Sequence, residues 1–372
     1  MGYRLMVFCT NPPEISQWVN SQCPALANHL HTFEVQGVRV KAPIVGNLPR
    51  TVQVLAEWRY ASTAIQQAAS TTGFAPDLVF FAWLDSYLSD YLTPHLVDAV
   101  FPYSWSGLYF HPYYLRSGQK RLPLLRIPLN PYALTKSQRC RSIALFDEME
   151  TDQQKYHINK PIVIFPDITD ASPPDPDYVV AKQIREKAGD RKIVGLLGGL
   201  TKRKGLLTLI EVAKTAAQEN WFFVFAGQLY EHELVLEAVS QIWKFVESEP
   251  ENCFFYFDRI PHEAQFNAVL NECDVLFAAY ENFPYSSNIL TKAAIFEKLV
   301  IVNDGFCMSA RVKQFQLGIS ISEGSVEDCI NALRCLADPA TASSPLMPEF
   351  EVYRQMHSLT RLSKALAEVC HT

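Results

Sequence analysis

The sequence has 372 residues, of which 48% are hydrophobic and 19% are charged, a composition typical of a soluble globular protein large enough for two domains. The net charge of −6 gives no reason to expect binding to nucleic acid. The charge is uneven along the chain. Residues 1–170 hold 14 Lys and Arg against 13 Asp and Glu, whereas residues 171–372 hold 19 against 26.

Nine cysteines are scattered along the chain, and none of them forms a C-x-x-C pair. This spacing supports neither a zinc site nor a disulfide framework, so we expect reduced thiols in a cytoplasmic protein. The apolar run Leu5–Cys9 is too short for a signal peptide, and no run approaches the roughly 18–20 apolar residues of a membrane span. We expect a soluble protein that at most contacts a membrane peripherally.

In the first half, apolar runs typical of buried strands alternate with helical patterns, which predicts βαβ units and a parallel sheet. The clearest amphipathic helix is 51–69, with Val54, Trp58 and Ile65 on one side. The other predicted helices are 14–30 and 88–100. Strands are predicted at 5–9, 35–40, 77–83, from 105 onward, at 142–146 and at 161–165.

Residues 170–177 are dense in proline and polar side chains, as expected of a linker. After this linker the alternation restarts. The predicted strands are 192–197, 221–226, 253–257, 274–279 and 299–302, and the predicted helices are 206–218, 231–247, 261–271 and 290–297. A last helical pattern, 353–369, has no strand after it.

This order predicts an α/β protein with two doubly wound, Rossmann-like domains that face a cleft. We expect the first domain to span residues 1–170 and the second to span residues 171–350. Residues 351–372 would form a C-terminal helix that crosses back to the first domain.

The stretch 280–290 lies between an apolar strand and a helix, and it carries a carboxylate, two hydroxyls and an amide. Ligands of open α/β sheets bind at the carboxyl ends of the strands, and helix N-termini favour anions. We therefore expect an anion site here. Helix capping by Ser286 and Ser287, with Glu281 stabilised by the helix dipole, is the plainer alternative.

A second loop, 198–205, combines glycines with three consecutive cations, Lys202, Arg203 and Lys204, just before a helix. Exposed backbone amides and cations suit a diphosphate, whose charge they would neutralise as a leaving group forms. An ordinary turn with a solvated basic tip would look the same in sequence. The loop matches neither a Walker A motif nor a Gly-x-Gly-x-x-Gly fingerprint.

Motifs of the second half resemble, in their order, those of retaining GT-B glycosyltransferases of the family 4 type. The resemblance covers about residues 190–320, and its segments are 198–205, 225–227, 258–261, 274–277 and 280–283. Ser-Ser-Asn-Ile-Leu at 286–290 and Val-Ile-Val at 300–302, followed by Gly305, are similar to one branch of that family.

The resemblance implies a role for each matching residue. Lys204 matches the lysine that holds the donor's diphosphate, and Glu281 matches the first glutamate of a Glu-x7-Glu motif beside the transferred sugar. Arg259 falls in the loop that lines the base pocket. The residues implied to bind the donor are Gly198, Gly199, Arg203, Lys204, Arg259, Glu281, Phe283, Ser286, Ser287, Asn288 and Leu290.

Two positions depart from the family pattern. Gly199 stands where an arginine is usual, so Lys202 or Arg203 would have to substitute for it. The second glutamate, which grips the ribose, is replaced by Ile289, or by Lys292 if the segment carries a two-residue insertion. These departures affect the expected nucleotide preference.

On the acceptor side the candidates are Asn11, Asp85 and His111, each of which follows a predicted strand. His111 stands where such enzymes often have a histidine near the acceptor, although lone histidines are often structural. Asp85 would orient an acceptor hydroxyl or merely cap the next helix. The basic segment 116–141 is a candidate for phospholipid contact, with a solvated irregular loop as the plainer reading.

The expected activity is metal-independent transfer of a sugar, with retention, from a nucleotide-diphosphate sugar to a hydroxyl acceptor. Glu281, His111 and Lys204 are the predicted catalytic residues, no metal or cofactor is expected, and UDP or GDP is the expected nucleotide. Asp175-Pro-Asp177 spells the metal motif of another transferase class but lies in the linker. A sugar-nucleotide 2-epimerase of the same fold and a non-catalytic sugar-nucleotide-binding protein are the alternatives.

Overall fold

The computed structural model divides the chain into two compact units, which are described separately. The first unit comprises Met1–Phe165 together with Lys364–Thr372, and the second comprises Pro166–Ser363. The residues that the structure describes are 3–36, 48–89, 92–111, 120–121, 128–129, 131–146, 158, 160–337 and 345–372.

The first unit contains parallel strands with helices between them. The strands are β1 (Leu5–Cys9), β2 (Leu30–Glu34), β3 (Val79–Phe81), β4 (Trp105–Tyr109), β5 (Lys120–Arg121), β6 (Pro128–Leu129), β7 (Cys140–Leu145) and β8 (Ile162–Ile164). Strand β1 pairs with β2, and a separate parallel sheet has the order β3-β4-β7-β8. Strands β5 and β6 form a small antiparallel pair. The helices are α1 (Pro12–Gln22), α2 (Leu48–Thr72) and α3 (Pro94–Val100), with 3₁₀ turns at Pro24–His29, Leu84–Tyr87 and Pro131–Lys136.

The core of the first unit forms around Trp58 on α2, which is fully buried. Its ring centroid lies 4.7 Å from that of Phe81, 5.0 Å from Phe101 and 5.2 Å from Trp105, all with edge-to-face geometry. The indole N–H of Trp58 donates to the carbonyl of Tyr87 at 3.0 Å, so its only polar group is satisfied. This agrees with the amphipathic face predicted for α2.

The second unit has one parallel six-stranded sheet in the order β11-β10-β9-β12-β13-β14 within the described residues. Its strands are β9 (Lys192–Leu197), β10 (Trp221–Ala226), β11 (Cys253–Tyr256), β12 (Val275–Ala278), β13 (Leu299–Asn303) and β14 (Gly318–Ile321). Its helices are α4 (Val179–Ala188), α5 (Leu206–Thr215), α6 (Leu236–Glu247), α7 (Glu263–Glu272), α8 (Ile289–Ile295), α9 (Cys307–Gln314), α10 (Val326–Ala337), α11 (Phe350–Met356) and α12 (Leu359–His371), the last of which continues into the first unit.

Counted from the first strand of the unit, this order is 3-2-1-4-5-6, the doubly wound order of dinucleotide-binding folds. The order reverses between β9 and β12. The two loops that follow these strands, 198–205 and 279–288, therefore lie side by side at the carboxyl edge. That crevice is the usual ligand site in such sheets.

Several predicted elements are wrong in their bounds, and three of the first unit show why. The second strand is Leu30–Glu34 rather than 35–40, and residues 37–40 lie outside the described part. The predicted helix 14–30 is accordingly shorter and ends at Gln22. Pro94 begins α3, because the side chain of Thr93 caps the amide of Leu96 at 3.4 Å and proline suits a first turn.

The last predicted helix, 353–369, is two helices, α11 and α12, separated at His357 and Ser358. The ring Nδ1 of His357 accepts a hydrogen bond from the amide of Asp167 at 2.9 Å. The side chain of Ser358 accepts from the amide of Arg361 at 3.2 Å and so caps the next helix. The first bond ties the break to a segment 190 positions away, and the second caps the start of α12.

Candidate functional site

The loop 198–205 turns tightly between β9 and α5. Thr201 caps the 3₁₀ turn Lys202–Lys204, and its side-chain oxygen accepts from the amide of Lys204 at 3.4 Å. Gly205 follows in the left-handed region with φ +75°, and a Cβ there would lie 2.7 Å from the carbonyl oxygen of Ala279. Only glycine fits, because the backbone of the loop presses directly against the end of β12.

Lys204 is half-buried at the centre of this edge. Its ammonium donates to the carbonyl of Leu197, the last residue of β9, at 3.0 Å, and it lies 5.6 Å from the ring centroid of Tyr280. The positive charge is therefore held over the end of the sheet, at the place where the order of strands reverses.

The two loops are joined by direct contacts. The amide of Glu281 donates to the carbonyl of Arg203 at 2.7 Å. The guanidinium of Arg203 lies 4.8 Å from the ring centroid of Phe283 and 5.7 Å from that of Tyr280. The loop 198–205, called the glycine loop, and the loop 279–288, called the acidic loop, thus contact each other directly. The predicted donor residues Arg203, Glu281 and Phe283 are neighbours at this contact.

Glu281 is partly buried, and this burial raises the pKa of its carboxyl above the ordinary value. The charge of Lys202 lowers the pKa, and that of Glu323 raises it further. Glu323 also accepts a hydrogen bond from the amide of Asn282 at 2.7 Å, and Asn282 itself has φ +45°. The backbone beside Glu281 is therefore fixed in a conformation that few residues adopt.

A buried polar network lies beneath the acidic loop. The hydroxyl of Ser286 donates to the carboxylate of Asp167 at 2.5 Å and accepts from the guanidinium of Arg311 at 2.5 Å. Arg311 is 1% exposed. The carbonyl of Asp167 accepts from the hydroxyl of Thr291 at 2.6 Å, and its amide donates to His357. The Ser286 hydroxyl, which is predicted to bind the donor, makes these two hydrogen bonds within the protein.

Lys292 is 4% exposed, and its ammonium group is bound by other groups of the protein. Its ammonium donates to the carboxylate of Glu263 and to the side-chain oxygen of Asn267, both at 2.8 Å, and to the carbonyl of Asp170 at 3.1 Å. Three acceptors saturate an ammonium group. This geometry argues against Lys292 as the replacement for the ribose-binding carboxylate.

The remaining predicted donor residues fall into two groups. Leu290 is fully buried in the core and has no side-chain surface for a ligand. Ser287 is half-buried, whereas Asn288 and Arg259 are exposed, and among the described residues the side chains of these three make no hydrogen bond or ion pair. They remain candidates for ligand contact.

Gly199 explains one departure from the family pattern. A Cβ at this position would lie 2.9 Å from the ring of Tyr230, so the aromatic ring occupies the space in which a side chain would begin. An arginine at position 199 would have to displace Tyr230. Gly198, with φ +90°, has the ammonium of Lys204 3.0 Å from its own Cβ position, so the glycine leaves room for that charge.

In the first unit, Asp85 and His111 lie together. The two carboxylate oxygens of Asp85 accept from the amides of Phe110 and His111, each at 2.9 Å, and Nδ1 of His111 lies 3.4 Å from the same carboxylate. Asn11 caps α1 by accepting from the amide of Glu14 at 3.4 Å. Asn11 therefore caps a helix, whereas Asp85 holds the backbone of the two residues that follow β4.

Other predicted features contribute little here. The carboxylate of Asp177 pairs with Lys182 at 2.9 Å, and that of Asp175 accepts from the amide of Asp177 at 3.0 Å. Much of the basic segment 116–141 lies outside the described residues. The described residues contain no group of three or more His, Cys, Asp or Glu side chains placed to hold a metal ion, and no helix among them is long and apolar enough to cross a membrane.

Sequence reasoning missed Arg311. The apolar residues Met308, Val312 and Phe315 of its helix are buried, and position 311 shares their face at helical spacing. An arginine on an apolar face indicates a buried partner. That signal was present in the sequence, although it does not identify Ser286 as the partner.

Solved structures give the clearest comparison, since no protein-family model and no curated protein matches the chain. Sucrose-phosphate synthase from Thermosynechococcus elongatus is 14% identical with a TM-score of 0.64, over 99% of this chain and 98% of that one. HepE from Anabaena, in complex with UDP and glucose, is 13% identical with a TM-score of 0.61 over the whole of both chains.

A UDP-forming α,α-trehalose-phosphate synthase from Burkholderia vietnamiensis is 11% identical with a TM-score of 0.60, over 99% of this chain and all of that one. These similarities extend over the full chain, but identities below 15% show the fold alone. The protein has the GT-B fold. The α/β class and the two Rossmann-like units predicted from the sequence are thereby confirmed.

Proposed function

We propose that the protein is a glycosyltransferase that moves a sugar, with retention, from a nucleotide-diphosphate sugar to a hydroxyl acceptor. One observation carries the proposal. At the switch point of the second sheet, a glycine loop bearing Lys204 and an acidic loop bearing Glu281 are hydrogen-bonded to each other through Arg203. A diphosphate needs cations and backbone amides, and a sugar needs a carboxylate beside it.

In this proposal the loop around Lys204 binds the diphosphate and stabilises the negative charge that develops as it departs. The acceptor hydroxyl attacks on the side of the leaving group, and its proton passes to a donor phosphate oxygen. No metal is needed for this step. Glu281 positions the sugar and stabilises the developing positive charge, for which a fixed backbone at Asn282 is suitable support.

The donor is proposed to be a UDP-sugar or a GDP-sugar. Two of the similar structures are named for UDP, either as a bound molecule or as a product, which supports UDP. Arg259 is proposed to contact the base, and its exposed side chain supports this role. Ile289 at the position of the family's second glutamate implies that ribose is held by other groups. His111, with Asp85 and Asn11, is proposed for the acceptor side.

The test is transfer and hydrolysis measured with a panel of UDP-, GDP- and ADP-sugars, together with calorimetric binding of the free nucleotides. Lys204→Ala should weaken binding of the preferred nucleotide about 10- to 100-fold, since a hydrogen bond to a charged group contributes about 1.5–3 kcal/mol. Lys214→Ala is the control, because Lys214 is exposed on α5 and pairs with Glu211 at 2.7 Å. Equal losses in both variants would contradict the site.

Glu281→Gln should lower turnover with little change in nucleotide affinity. Wild-type protein that binds a nucleotide tightly but turns over no donor would contradict the transferase and favour a non-catalytic binding protein. One observation supports that second candidate: no carboxylate stands at position 289, and Lys292 is saturated by its own partners. Turnover of any donor would decide against it.

A further inference from the structure

Three neighbouring parallel strands of the first unit each end in an aromatic residue. Trp83 follows β3, Phe110 follows β4 and Phe146 follows β7. The rings of Trp83 and Phe110 are stacked, with centroids 4.2 Å apart and planes 21° apart, and Phe146 contacts Phe110 edge-on at 4.8 Å. The carboxyl edge of this sheet therefore carries one continuous aromatic group.

Trp83 differs from the other tryptophans of its unit that lie on the sheet or against it. Trp58 and Trp105 are fully buried, whereas Trp83 is 47% exposed. Its indole is nevertheless held in place by the stack on Phe110. A large apolar ring that is rigid but open to solvent is unfavourable for the isolated protein, and such surfaces mark binding sites.

A polar side chain borders this ring. The imidazole of His111 lies edge-on to Trp83 at 5.7 Å and is 45% exposed. Asp85 fixes the position of His111, since its carboxylate accepts from the backbone amide of His111 and lies 3.4 Å from the ring Nδ1. The surface thus combines a flat apolar face with a hydrogen-bonding group at its border, and both are fixed by the turn after β4.

A pyranose ring has the complementary chemistry. One of its faces presents polarised C–H bonds, which the electron-rich face of an indole attracts, while its hydroxyls project at the rim. Few polar groups are needed to orient a ligand once an aromatic wall holds it.

We propose that Trp83, stacked on Phe110 and bordered by His111, is a binding platform for a pyranose ring. Together with the proposed function, on which this step rests, the platform identifies the acceptor as a carbohydrate. The reacting hydroxyl belongs to the stacked sugar or to the sugar unit next to it. The platform itself does not depend on donor chemistry, so it can be tested in the absence of nucleotide.

The experiment is saturation-transfer NMR with the methyl pyranosides of glucose, galactose and mannose. Saturation of wild-type protein should reach the C–H protons of one sugar face in at least one pyranoside. Trp83→Ala should remove this transfer, and Trp83→Phe should retain it with weaker binding. Trp18→Ala should change nothing, since Trp18 is 60% exposed but lies on α1 and not after β3, β4 or β7.

His111→Ala should weaken binding of the same pyranoside at least fivefold while leaving the stacking signal detectable. The proposal is overturned if no pyranoside receives saturation, if the signal survives Trp83→Ala, or if uridine or adenosine displaces the sugar from this place. Nucleotide binding by Trp83→Ala should equal that of wild type. A wild-type protein that binds pyranosides but no nucleotide would refute the proposed function and leave the platform intact.

Discussion

The two units stabilise their interiors with different kinds of polar side chain. Among the described residues of the first unit, every buried polar side chain is a hydroxyl: Thr51, Ser89, Ser106, Thr135, Ser137 and Ser142. The second unit also buries charged and amide groups, among them Asp167, Lys292, Arg311, Asn252 and Asn267. A buried charge requires a specific partner, whereas a hydroxyl pair is satisfied at little cost.

This difference bears on function. The buried charges of the second unit lie under the acidic loop or beside the linker, and the loop is therefore braced from within. Preorganised groups are what binding of a charged donor requires. In the first unit, by contrast, the carboxylate of Asp85 binds backbone amides after β4, and aromatic rings pack against each other at the ends of the strands. The following substitutions test that contrast.

The largest effect is expected for Arg311→Met. It removes the buried cation and leaves the Asp167 carboxylate buried beside Ser286, which should cost about 3–5 kcal/mol of unfolding free energy in urea titrations. Arg354→Met is the control, because Arg354 makes more exposed ion pairs with Glu351 and Glu297 and should lose about 1 kcal/mol or less. Similar losses for both would refute the bracing role.

Gly205→Ala should destabilise by about 2–4 kcal/mol, since it combines left-handed backbone strain with a Cβ at 2.7 Å from the Ala279 carbonyl. Gly324→Ala is the control, because Gly324 has nearly the same φ, +72°, but nothing within 4 Å of its Cβ position. It should cost only about 1–2 kcal/mol. The difference between the urea denaturation midpoints of the two variants measures how closely the glycine loop packs against the end of β12.

Lys292→Met separates a structural lysine from a functional one. It should destabilise by about 1–3 kcal/mol, because Asn267 loses a hydrogen bond in the interior. Glu263 is 57% exposed and stays solvated. Nucleotide affinity should change less than threefold, in contrast to Lys204→Ala. An affinity loss as large as that of Lys204→Ala would restore Lys292 as a ribose ligand.

Ser106→Ala in the first unit should have a smaller effect than either charge removal. Its hydroxyl pairs with that of Ser142 at 3.0 Å on the neighbouring strand and also accepts from the Ser142 amide at 3.2 Å, and each such bond contributes about 0.5–1.5 kcal/mol. The double variant Ser106→Ala with Ser142→Ala should cost less than the sum of the single losses, because no hydroxyl is then left unpaired. Additive losses would show that the two hydroxyls are not coupled.

The smallest effect concerns Glu281 and pH. A carboxyl with a raised pKa keeps its proton to a higher pH in the folded than in the unfolded chain. Stability is therefore lost as the pH rises from the ordinary 4.5 through the raised value. Glu281→Gln lacks this titration, so its Tm should exceed that of wild type at neutral pH, and the excess should vanish in acid. Glu323→Gln should reduce the pH dependence of wild type.

Much of the second sheet could be predicted from the sequence. The strands Lys192–Leu197 and Trp221–Ala226 were predicted to the residue, because a strand buried on both faces is a continuous apolar run with clear ends. The strand Leu30–Glu34 was missed because His31 and Thr32 interrupt its apolar pattern. Local pattern is informative for buried strands and weak for partly exposed ones.

The candidate site could be predicted only in part. Lys204, Glu281 and Arg203 were found because they lie in loops that follow strands, and the topology brings those loops together. The bracing of Ser286 could not be predicted, because Asp167 is 119 positions away and pairs with it only through the fold. A single sequence identifies a hydroxyl but does not reveal whether it faces the ligand or the interior.

Asp167 is the second residue after the chain passes from the first unit to the second. Its amide, its carbonyl and its carboxylate each bind a different segment: His357 before α12, Thr291 on α8 and Ser286 in the acidic loop. Displacement of that loop by a ligand must either carry the connecting chain with it or break one of these bonds. The conformation of the acidic loop and that of the first residues of the second unit are therefore coupled through Asp167.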